Sequence, residues 1–236
     1  MTQKIALITG ANRGLGKALA EKCAANGMFV IMVSRKAENA EPVYDSIIAQ
    51  GGKAVIKQCD ISDLKQIEAL EQEISKEFSV IDILFNCAAV NTDDDSTSIE
   101  TMPIDLLRNT METNFFGPVW MSKHFVKYLK KSTSGRIINF SSGLGQLGVP
   151  RMGPYPAYSM SKTAINALTT LLADEVKDTP IIVTSVDPGW VLTDMGGPNA
   201  MLTIPEGIDT PYWLATAPAH EIESGKFYKE RHILEW

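Results

Sequence analysis

The sequence predicts an α/β protein in which helices cover both faces of a doubly wound parallel sheet. Short apolar runs rich in β-branched residues alternate with segments of helical periodicity, and such alternation produces parallel sheets. The first run enters a helical segment through a glycine-rich turn, and the length of 236 residues suits one domain over 1–236. The predicted strands lie near 4–9, 28–34, 53–59, 81–86, 135–141 and 180–187.

The first predicted strand, KIALIT, leads into Gly10, Gly14 and Gly16 in the spacing G-x-x-x-G-x-G. Glycines permit a tight turn and close approach to a pyrophosphate, and the following helix supplies backbone amides and the positive end of its dipole. The spacing differs from the G-x-G-x-x-G dinucleotide fingerprint, so a generic βα loop is the alternative. We expect a nucleotide phosphate site formed by Gly10, Asn12, Arg13, Gly14, Leu15 and Gly16.

The second predicted strand ends in Ser34-Arg35-Lys36, where an NAD site would place an acidic residue. Arg35 instead offers a planar fork of donors that suits a 2′-phosphate. Arg13 in the glycine turn could reach the same phosphate from the other side. The pair predicts NADP(H) as cofactor, although most arginines are simply solvated.

Tyr158 and Lys162 stand four residues apart in a helical segment, so their side chains lie on one side of that helix. A free tyrosine, with a pKa of about 10, is a poor acid or base near neutrality. A neighbouring lysine charge is expected to lower that pKa and to make the phenol a general acid/base. The same spacing also occurs by chance on solvated helices.

With Thr9-Gly10-x-x-x-Gly14-x-Gly16 and Tyr158-x-x-x-Lys162, the chain resembles the short-chain dehydrogenase/reductase family along nearly its whole length. The resemblance implies a Rossmann-type fold and assigns Tyr158 as proton donor and Lys162 as a ligand of the nicotinamide ribose. It also implies that Ser142, with Ser141 beside it, holds the substrate oxygen. Asn114 in METNFFGP matches the family's fourth catalytic residue, which holds a water linked to the lysine.

The resemblance also extends to the cofactor contacts. It implies that Asp60 meets the adenine ring and that Thr193 holds the nicotinamide carboxamide. After the fourth predicted strand Asn86 is kept, but Cys87 and Ala89 replace an Asn and a Gly of the family motif. The further cofactor contacts are Ser34, Arg35, Ile61, Ala88, Tyr158, Lys162, Pro188, Gly189 and Val191.

The tail is most similar to NADPH-dependent carbonyl reductases, through TDMGGPNA at 193–200, PEGIDTPYWLA at 205–215, GKFY at 225–228 and the final KERHILEW. Those enzymes often carry a long insertion between the catalytic serine and tyrosine. This chain has a short loop there, so a homodimer or homotetramer through helices near 114–131 and 157–177 is predicted. Their apolar faces exceed what one sheet face needs to cover.

Two segments, 143–157 and 189–204, are predicted to form the walls of the active site. Their apolar residues suggest a pocket for a ketone, aldehyde or quinone, although each alone could be ordinary packing. The substrate contacts expected are Ser142, Leu144, Tyr158, Trp190 and Met195, with Leu147, Val149, Met152 and Met201 nearby.

Reversible NADPH-dependent carbonyl reduction is the expected activity. A 3-oxoacyl-thioester reductase is the first alternative, and Arg151 and Lys123 are the candidate basic residues for its acidic carrier. A non-catalytic NADP(H)-binding regulator is the second.

Composition argues against several other classes. The net charge of −6, without a long basic run, disfavours nucleic-acid partners, and no apolar run has membrane-spanning length. The fold begins within the first residues, which leaves no room for a signal peptide. Three isolated cysteines suggest a reducing, cytoplasmic setting, and no Cys/His cluster has metal-ligand spacing. Asp93-Asp94-Asp95 is interpreted as a solvated acidic loop.

Overall fold

The computed structural model describes residues 3–150 and 153–236, so Arg151 and Met152 lie outside the described residues. Its strands are β1 (Ile5–Thr9), β2 (Phe29–Ser34), β3 (Lys53–Gln58), β4 (Ile83–Asn86), β5 (Arg136–Phe140), β6 (Ile182–Val186), β7 (Lys226–Lys229) and β8 (His232–Leu234). Its helices are α1 (Gly14–Ala25), α2 (Glu41–Ala49), α3 (Leu64–Glu77), α4 (Ile104–Met111), α5 (Gly117–Leu129), α6 (Pro156–Glu175) and α7 (Ile204–Thr216).

The described strands form one sheet in the order β3-β2-β1-β4-β5-β6-β7-β8. Strands β1 to β7 run parallel, and β8 pairs antiparallel to β7. The order reverses between β1 and β4, and ligands of such sheets bind beyond the carboxyl ends of the strands at this point. The predicted doubly wound α/β fold is therefore confirmed.

All six predicted strands are present, whereas β7 and β8 were not predicted. The sequences KFYK and HIL are only four and three residues long, and β8 has exposed residues. The pairing of β7 with β6 depends on contacts distant in sequence, such as the register of Thr184 with Lys226, whereas β8 pairs with the adjacent β7. A short edge strand carries little periodic signal of its own.

Apolar side chains bury both faces of the sheet. Along β1, Ala6 and Ile8 belong to the core under α1 and α7, whereas Leu7 belongs to the core under α3 and α5. Continuous burial of this kind explains why β1 and β4 are apolar up to their last residue.

The helices predicted to form an oligomer interface use most of their apolar residues within the chain. Met121 and Phe125 on α5 are fully buried, and Leu172 on α6 is nearly so. Leu171, in contrast, is 71% exposed. The expected surplus of apolar surface is therefore much smaller than the sequence suggests. Among the described helices, none combines the length and hydropathy needed to cross a bilayer.

Candidate active site

The candidate residues gather at the carboxyl edge of the sheet around α6. Tyr158 and Lys162 lie in the first two turns of α6, and Ser142 follows β5. The Nζ of Lys162 lies 5.3 Å from the centre of the Tyr158 ring. The Ser142 hydroxyl lies close enough to the Tyr158 phenol to lower its pKa by hydrogen bonding. The structure thus brings three of the four predicted catalytic residues into one group.

Lys162 is a buried cation, with only 2% of the residue exposed. Its Nζ donates to the carbonyl oxygen of Phe140 at 2.7 Å, at the end of β5. Because burial disfavours the charged form, the pKa of Lys162 is lowered to about 8. An ammonium held this way is poised to donate further hydrogen bonds at the site.

The pKa of Tyr158 moves in the opposite direction to the sequence-based prediction. Burial raises this pKa above its usual range, and the charge of Asp187 raises it further, whereas the hydrogen bond with Ser142 lowers it. The predicted net lowering of the tyrosine pKa is wrong for the chain by itself, because desolvation is the largest effect. Tyr158 is consequently a protonated phenol near neutral pH.

The structure separates the two adjacent serines. The Ser141 hydroxyl is buried and donates to the main-chain oxygen of Lys162 at 3.2 Å, which ties β5 to α6. The Ser142 oxygen is half-buried and accepts from the Leu144 amide at 3.2 Å. Of the two hydroxyls, Ser142 is therefore the one that faces Tyr158.

Asn114 occupies a π-helical turn, Glu112–Phe116, between α4 and α5. Irregular turns of this type are frequent at functional sites. Its side chain is 1% exposed and hydrogen-bonds both backbone groups of Val90 at 2.8 Å. Its Nδ2 also donates to the Ser161 hydroxyl at 3.1 Å. Asn114 thus braces the loop after β4 against α6.

Asp187 and Lys229 are site residues that sequence reasoning missed. Asp187 ends β6, is 6% exposed, and pairs with the Lys229 Nζ at 3.1 Å. Its other oxygen accepts from the Gly189 amide at 3.0 Å. Only the unpredicted strand β7 brings Lys229 here, so the sequence carries little signal for this pair.

The glycine turn forms the cradle expected for a phosphate. A Cβ on Gly16 would lie 2.2 Å from the Gly10 carbonyl oxygen, and one on Gly10 would lie 2.9 Å from the Cα of Ala88. Gly10 and Gly14 also adopt positive φ, which glycine tolerates best. Arg13 precedes α1 without capping it by its side chain, so the helix N-terminus keeps amides available to an anion.

The two arginines expected to contact a 2′-phosphate are both exposed. Arg35 follows β2 on the surface, and no carboxylate of the described residues pairs with it. Ser34 is buried and its hydroxyl donates to the Lys36 carbonyl at 2.9 Å. Arg13 pairs instead with Asp194 at 3.0 Å, on the opposite loop. The expected convergence of both arginines on one phosphate is therefore not preformed.

The strand ends beside the glycine turn are tied by Thr9. Its hydroxyl donates to the Phe85 carbonyl at 3.2 Å and accepts from the amides of Cys87 and Ala88 at 3.0 and 3.1 Å. Asn86 is buried and donates to Asn139 at 2.8 Å. The backbone support after β4 thus persists despite the replacements at Cys87 and Ala89.

Asp60 lies beyond the end of β3, where its carboxylate accepts from the amide and hydroxyl of Ser62 at 3.0 and 2.7 Å. The adjacent Ile61 is buried. Both follow β3, an edge strand of the sheet, and Ile61 belongs to the core under α3 and α5.

The segment 189–204 packs onto the glycine turn. A Cβ on Gly14 would lie 3.5 Å from the Thr193 Cγ2, and Val191 is buried. The Thr193 hydroxyl accepts from the Gly196 amide at 3.2 Å, and Gly189, after Pro188, has positive φ. Leu15 in turn packs close to Gly207, whose added Cβ would meet it at 3.0 Å. The expected cofactor residues of both segments are therefore neighbours.

The apolar residues expected around the substrate are mostly exposed rather than packed. Trp190 is 52% exposed and donates through Nε1 to the Gly196 carbonyl at 2.8 Å. Met195 is 44% exposed, and Leu144 is half-buried beside Ser142. Similar exposure is found at Leu147, Val149 and Met201. Ordinary core packing does not account for these side chains.

Asp93 corrects the interpretation of 93–95 as a purely solvated acidic loop. Its carboxylate accepts from the backbone amides of Ala157 and Tyr158 at 3.3 and 2.8 Å. Asp95 accepts from the Tyr155 hydroxyl at 3.0 Å. Only Asp94 behaves as expected, since it caps its own loop at Ser96.

Known proteins resemble this chain over most of its length. It is 33% identical over 196 residues to 3-oxoacyl-(acyl-carrier-protein) reductase of Synechocystis, covering 83% of this chain and 77% of that protein. It is 27% identical to Carbonyl reductase (NADPH) 1 of Bos taurus, covering 98% of both. The crystal structure of a short-chain dehydrogenase/reductase from Burkholderia multivorans with bound NADP superposes with a TM-score of 0.87, at 27% identity and full coverage of both chains.

The family model described as short chain dehydrogenase matches residues 4–201, which include the glycine turn, Asn114, Ser142, Tyr158 and Lys162. On this match, the chain belongs to the short-chain dehydrogenase/reductase family.

Proposed function

We propose that this protein is an NADPH-dependent oxidoreductase that reduces a ketone, aldehyde or quinone carbonyl, and oxidises the alcohol in reverse. The observation that carries the proposal is the position of the buried Lys162 ammonium, 5.3 Å from the centre of the Tyr158 ring, with the Ser142 hydroxyl beside the phenol. A binding module has no need of a protonated phenol, a hydroxyl and a cation assembled in this way.

NADP(H) is the proposed cofactor. The backbone of the Gly10–Gly16 turn would hold the pyrophosphate, and Arg35, assisted by Arg13, would hold the 2′-phosphate. Asp60, Asn86 and Thr193 belong to the same proposed site. When bound, NADPH supplies the hydride for the carbonyl carbon. The relatives that carry NADPH or NADP in their descriptions support this choice.

Tyr158 supplies the proton. Its raised pKa keeps the phenol protonated near neutrality, which an acid for carbonyl reduction requires. Ser142 hydrogen-bonds the substrate oxygen and holds it near the phenol. The substrate oxygen would take the phenolic proton, which together with the hydride supplied by the cofactor gives the alcohol. The phenolate that remains is stabilised by the Lys162 charge and regains a proton from solvent.

The substrate side of the site suggests an apolar or aromatic carbonyl compound. The exposed Leu147 and Val149 lie between Ser142 and Tyr158 in the chain, and the exposed Trp190, Met195 and Met201 lie on the segment that packs on the glycine turn. Exposed apolar side chains are unfavourable in water, and covering them with an apolar ligand is favourable. A small charged acid would find few partners there.

A 3-oxoacyl-thioester reductase is the second candidate, and it is favoured by the similarity to the Synechocystis reductase. Such an enzyme would bind an acidic carrier through basic residues. Lys123 lies on α5 against the Trp120 ring, 5.1 Å from its centre, and Arg151 lies outside the described residues. Lys127 and Lys131 both lie over the nearby Tyr128 ring, and Lys127 pairs with Glu71 at 2.9 Å, which partly neutralises this basic group.

We also propose that residues 1–236 act as one domain in the cytoplasm. Cys23, Cys59 and Cys87 are unpaired, which suits a reducing compartment. Leu171 and Met160 on the outer side of α6 would pack between copies in a homodimer or homotetramer.

The test is a turnover screen with NADPH and NADH. We expect NADPH-dependent reduction of aromatic ketones and quinones, and much slower reduction of 3-oxoacyl thioesters. The reverse preference would establish the thioester alternative. Tight NADPH binding without turnover on either class would contradict the proposal and favour the regulator.

A further inference from the structure

The helix that carries Tyr158 and Lys162 lacks a cap of its own. Helix α6 starts at Pro156, and the preceding residue, Tyr155, makes no side-chain capping bond. The first amides of a helix have no partner within the helix. Pro156 has no N–H, so the amides of Ala157 and Tyr158 are those that need an acceptor.

Asp93 provides that acceptor from a loop 64 and 65 residues earlier in the chain. One carboxylate oxygen accepts from the Tyr158 amide at 2.8 Å, and the other accepts from the Ala157 amide at 3.3 Å. The negative charge also lies at the positive end of a 20-residue helix, where a carboxylate is stabilised.

The main chain of Tyr158 is held from the other side as well. The Ser161 hydroxyl donates to the Tyr158 carbonyl at 2.7 Å and accepts from the Asn114 side chain at 3.1 Å. The same Asn114 amide clamps Val90, three residues before Asp93. The backbone N–H and C=O of Tyr158 are therefore both held, directly or through Ser161 and Asn114, by contacts to the segment 90–93.

We propose that Asp93 is a positioning residue for carbonyl reduction, because its carboxylate fixes the backbone of Tyr158 and thereby the phenol that donates the proton. The inference rests on the function proposed above. Proton transfer requires donor and acceptor at hydrogen-bond distance, and a displacement of about 1 Å can cost up to roughly 100-fold in rate.

Two substitutions at Asp93 and two matched controls test its positioning role. Asp93→Ala removes both acceptors, and Asp93→Asn keeps one. Asp95→Asn and Tyr155→Phe alter the neighbouring Asp95–Tyr155 hydrogen bond only. Measurements are kcat and KM for an aryl ketone, Kd for NADPH, and hydrogen exchange of the peptide spanning 156–162.

We expect kcat to fall about tenfold in Asp93→Ala and about threefold in Asp93→Asn, with KM and NADPH Kd within about twofold of the wild type. Amide exchange over 156–162 should accelerate in the same order, and both controls should behave as the wild type. A purely structural role would instead lower NADPH affinity and melting temperature together with kcat.

An unchanged kcat in Asp93→Ala, or parallel losses of NADPH binding and kcat, would overturn the inference while the wild-type activity stands. If Asp93→Ala does not fold, an unchanged kcat in Asp93→Asn overturns it equally. A wild type that binds NADPH but reduces no carbonyl would instead show that the proposed function is wrong.

Discussion

The surroundings of Tyr158 and those of Arg13 differ in how far the chain fixes them. Around Tyr158, Lys162 is 2% exposed and Asn114 is 1% exposed, and each makes short hydrogen bonds to backbone groups. At the other end of the proposed cofactor site, the side chains of the Arg13–Asp194 ion pair are 61% and 74% exposed. Exposed pairs of this kind contribute little to stability.

The difference separates two tasks. Proton transfer needs atoms held in place before the substrate arrives, and buried, satisfied hydrogen bonds provide that rigidity. Recognition of a phosphate needs charge, and flexible exposed arginines can adjust to it on binding. Substitutions around Tyr158 should therefore change turnover without changing cofactor choice, and substitutions at the exposed arginines should do the reverse.

The largest expected effect is on turnover in Tyr158→Phe. Because this variant keeps the ring and loses only the acidic proton, kcat for ketone reduction should fall by roughly 1,000-fold. The Kd for NADPH, from fluorescence titration, should stay within about twofold. Tyr155→Phe is the matched control, since it removes a hydroxyl bonded to Asp95 one turn earlier. Near-normal turnover in Tyr158→Phe would remove the tyrosine from the mechanism.

The next effect concerns cofactor choice. Arg35→Asp should weaken NADPH binding by on the order of 100-fold, because a charge-assisted hydrogen bond is lost and a repulsion is added. NADH binding should change little, and Arg13→Ala should have a smaller effect. Arg108→Asp, at an equally exposed arginine on α4, is the control. A wild type that prefers NADH in direct titration would contradict the assignment of both arginines.

The third effect is on stability. Below pH 8 Lys162 is charged in both the folded and the unfolded chain, so the folded state bears the full cost of burying the charge. Between about pH 8 and its unfolded pKa the folded state loses this proton first, and stability rises with pH. The shift corresponds to about 3 kcal/mol at most, less the lost bond to Phe140.

Lys162→Met should therefore raise the melting temperature of the cofactor-free protein by roughly 5 °C at pH 7, and the gain should shrink above pH 8. Lys57→Met should do the opposite, since hydrogen bonding to Glu77 raises the pKa of Lys57 and stabilises the folded state below its unfolded pKa. Equal melting temperatures for wild type and Lys162→Met at pH 7 would show that burial of this charge costs nothing.

The smallest effect is a change in the tyrosine pKa with opposite signs in two variants. Asp187→Asn removes a charge that raises the pKa of Tyr158, so a larger fraction is phenolate at any pH. Alcohol oxidation requires the phenolate and should rise about threefold at pH 8. Lys229→Met unmasks the Asp187 charge and should slow oxidation. Changes of the same sign in both variants would contradict the electrostatic explanation.

The sequence predicted those parts of the fold and site whose signal is local. Strands β1 to β6, the glycine turn and the Tyr158-x-x-x-Lys162 spacing each lie within one short segment. Strand β7 and the contacts of Asp93 and Lys229 depend on residues more than 40 positions apart, which no periodicity reveals.

The sign of the Tyr158 pKa shift was also beyond sequence reasoning. Spacing indicated that Lys162 is near, but the extent of burial and the position of Asp187 are properties of the folded chain. The exposure of Trp190 and Met195 could not be predicted either, because apolar residues in a loop have no periodicity that separates buried from exposed positions.

The most direct test of carbonyl reduction is isotope transfer from NADPH carrying deuterium at both C4 positions to a prochiral aryl ketone. The account predicts an alcohol with one deuterium on the carbinol carbon and a single configuration, formed by the wild type and not, at a comparable rate, by Tyr158→Phe. Bound NADPH that is never consumed, or an alcohol without deuterium on that carbon, would contradict it.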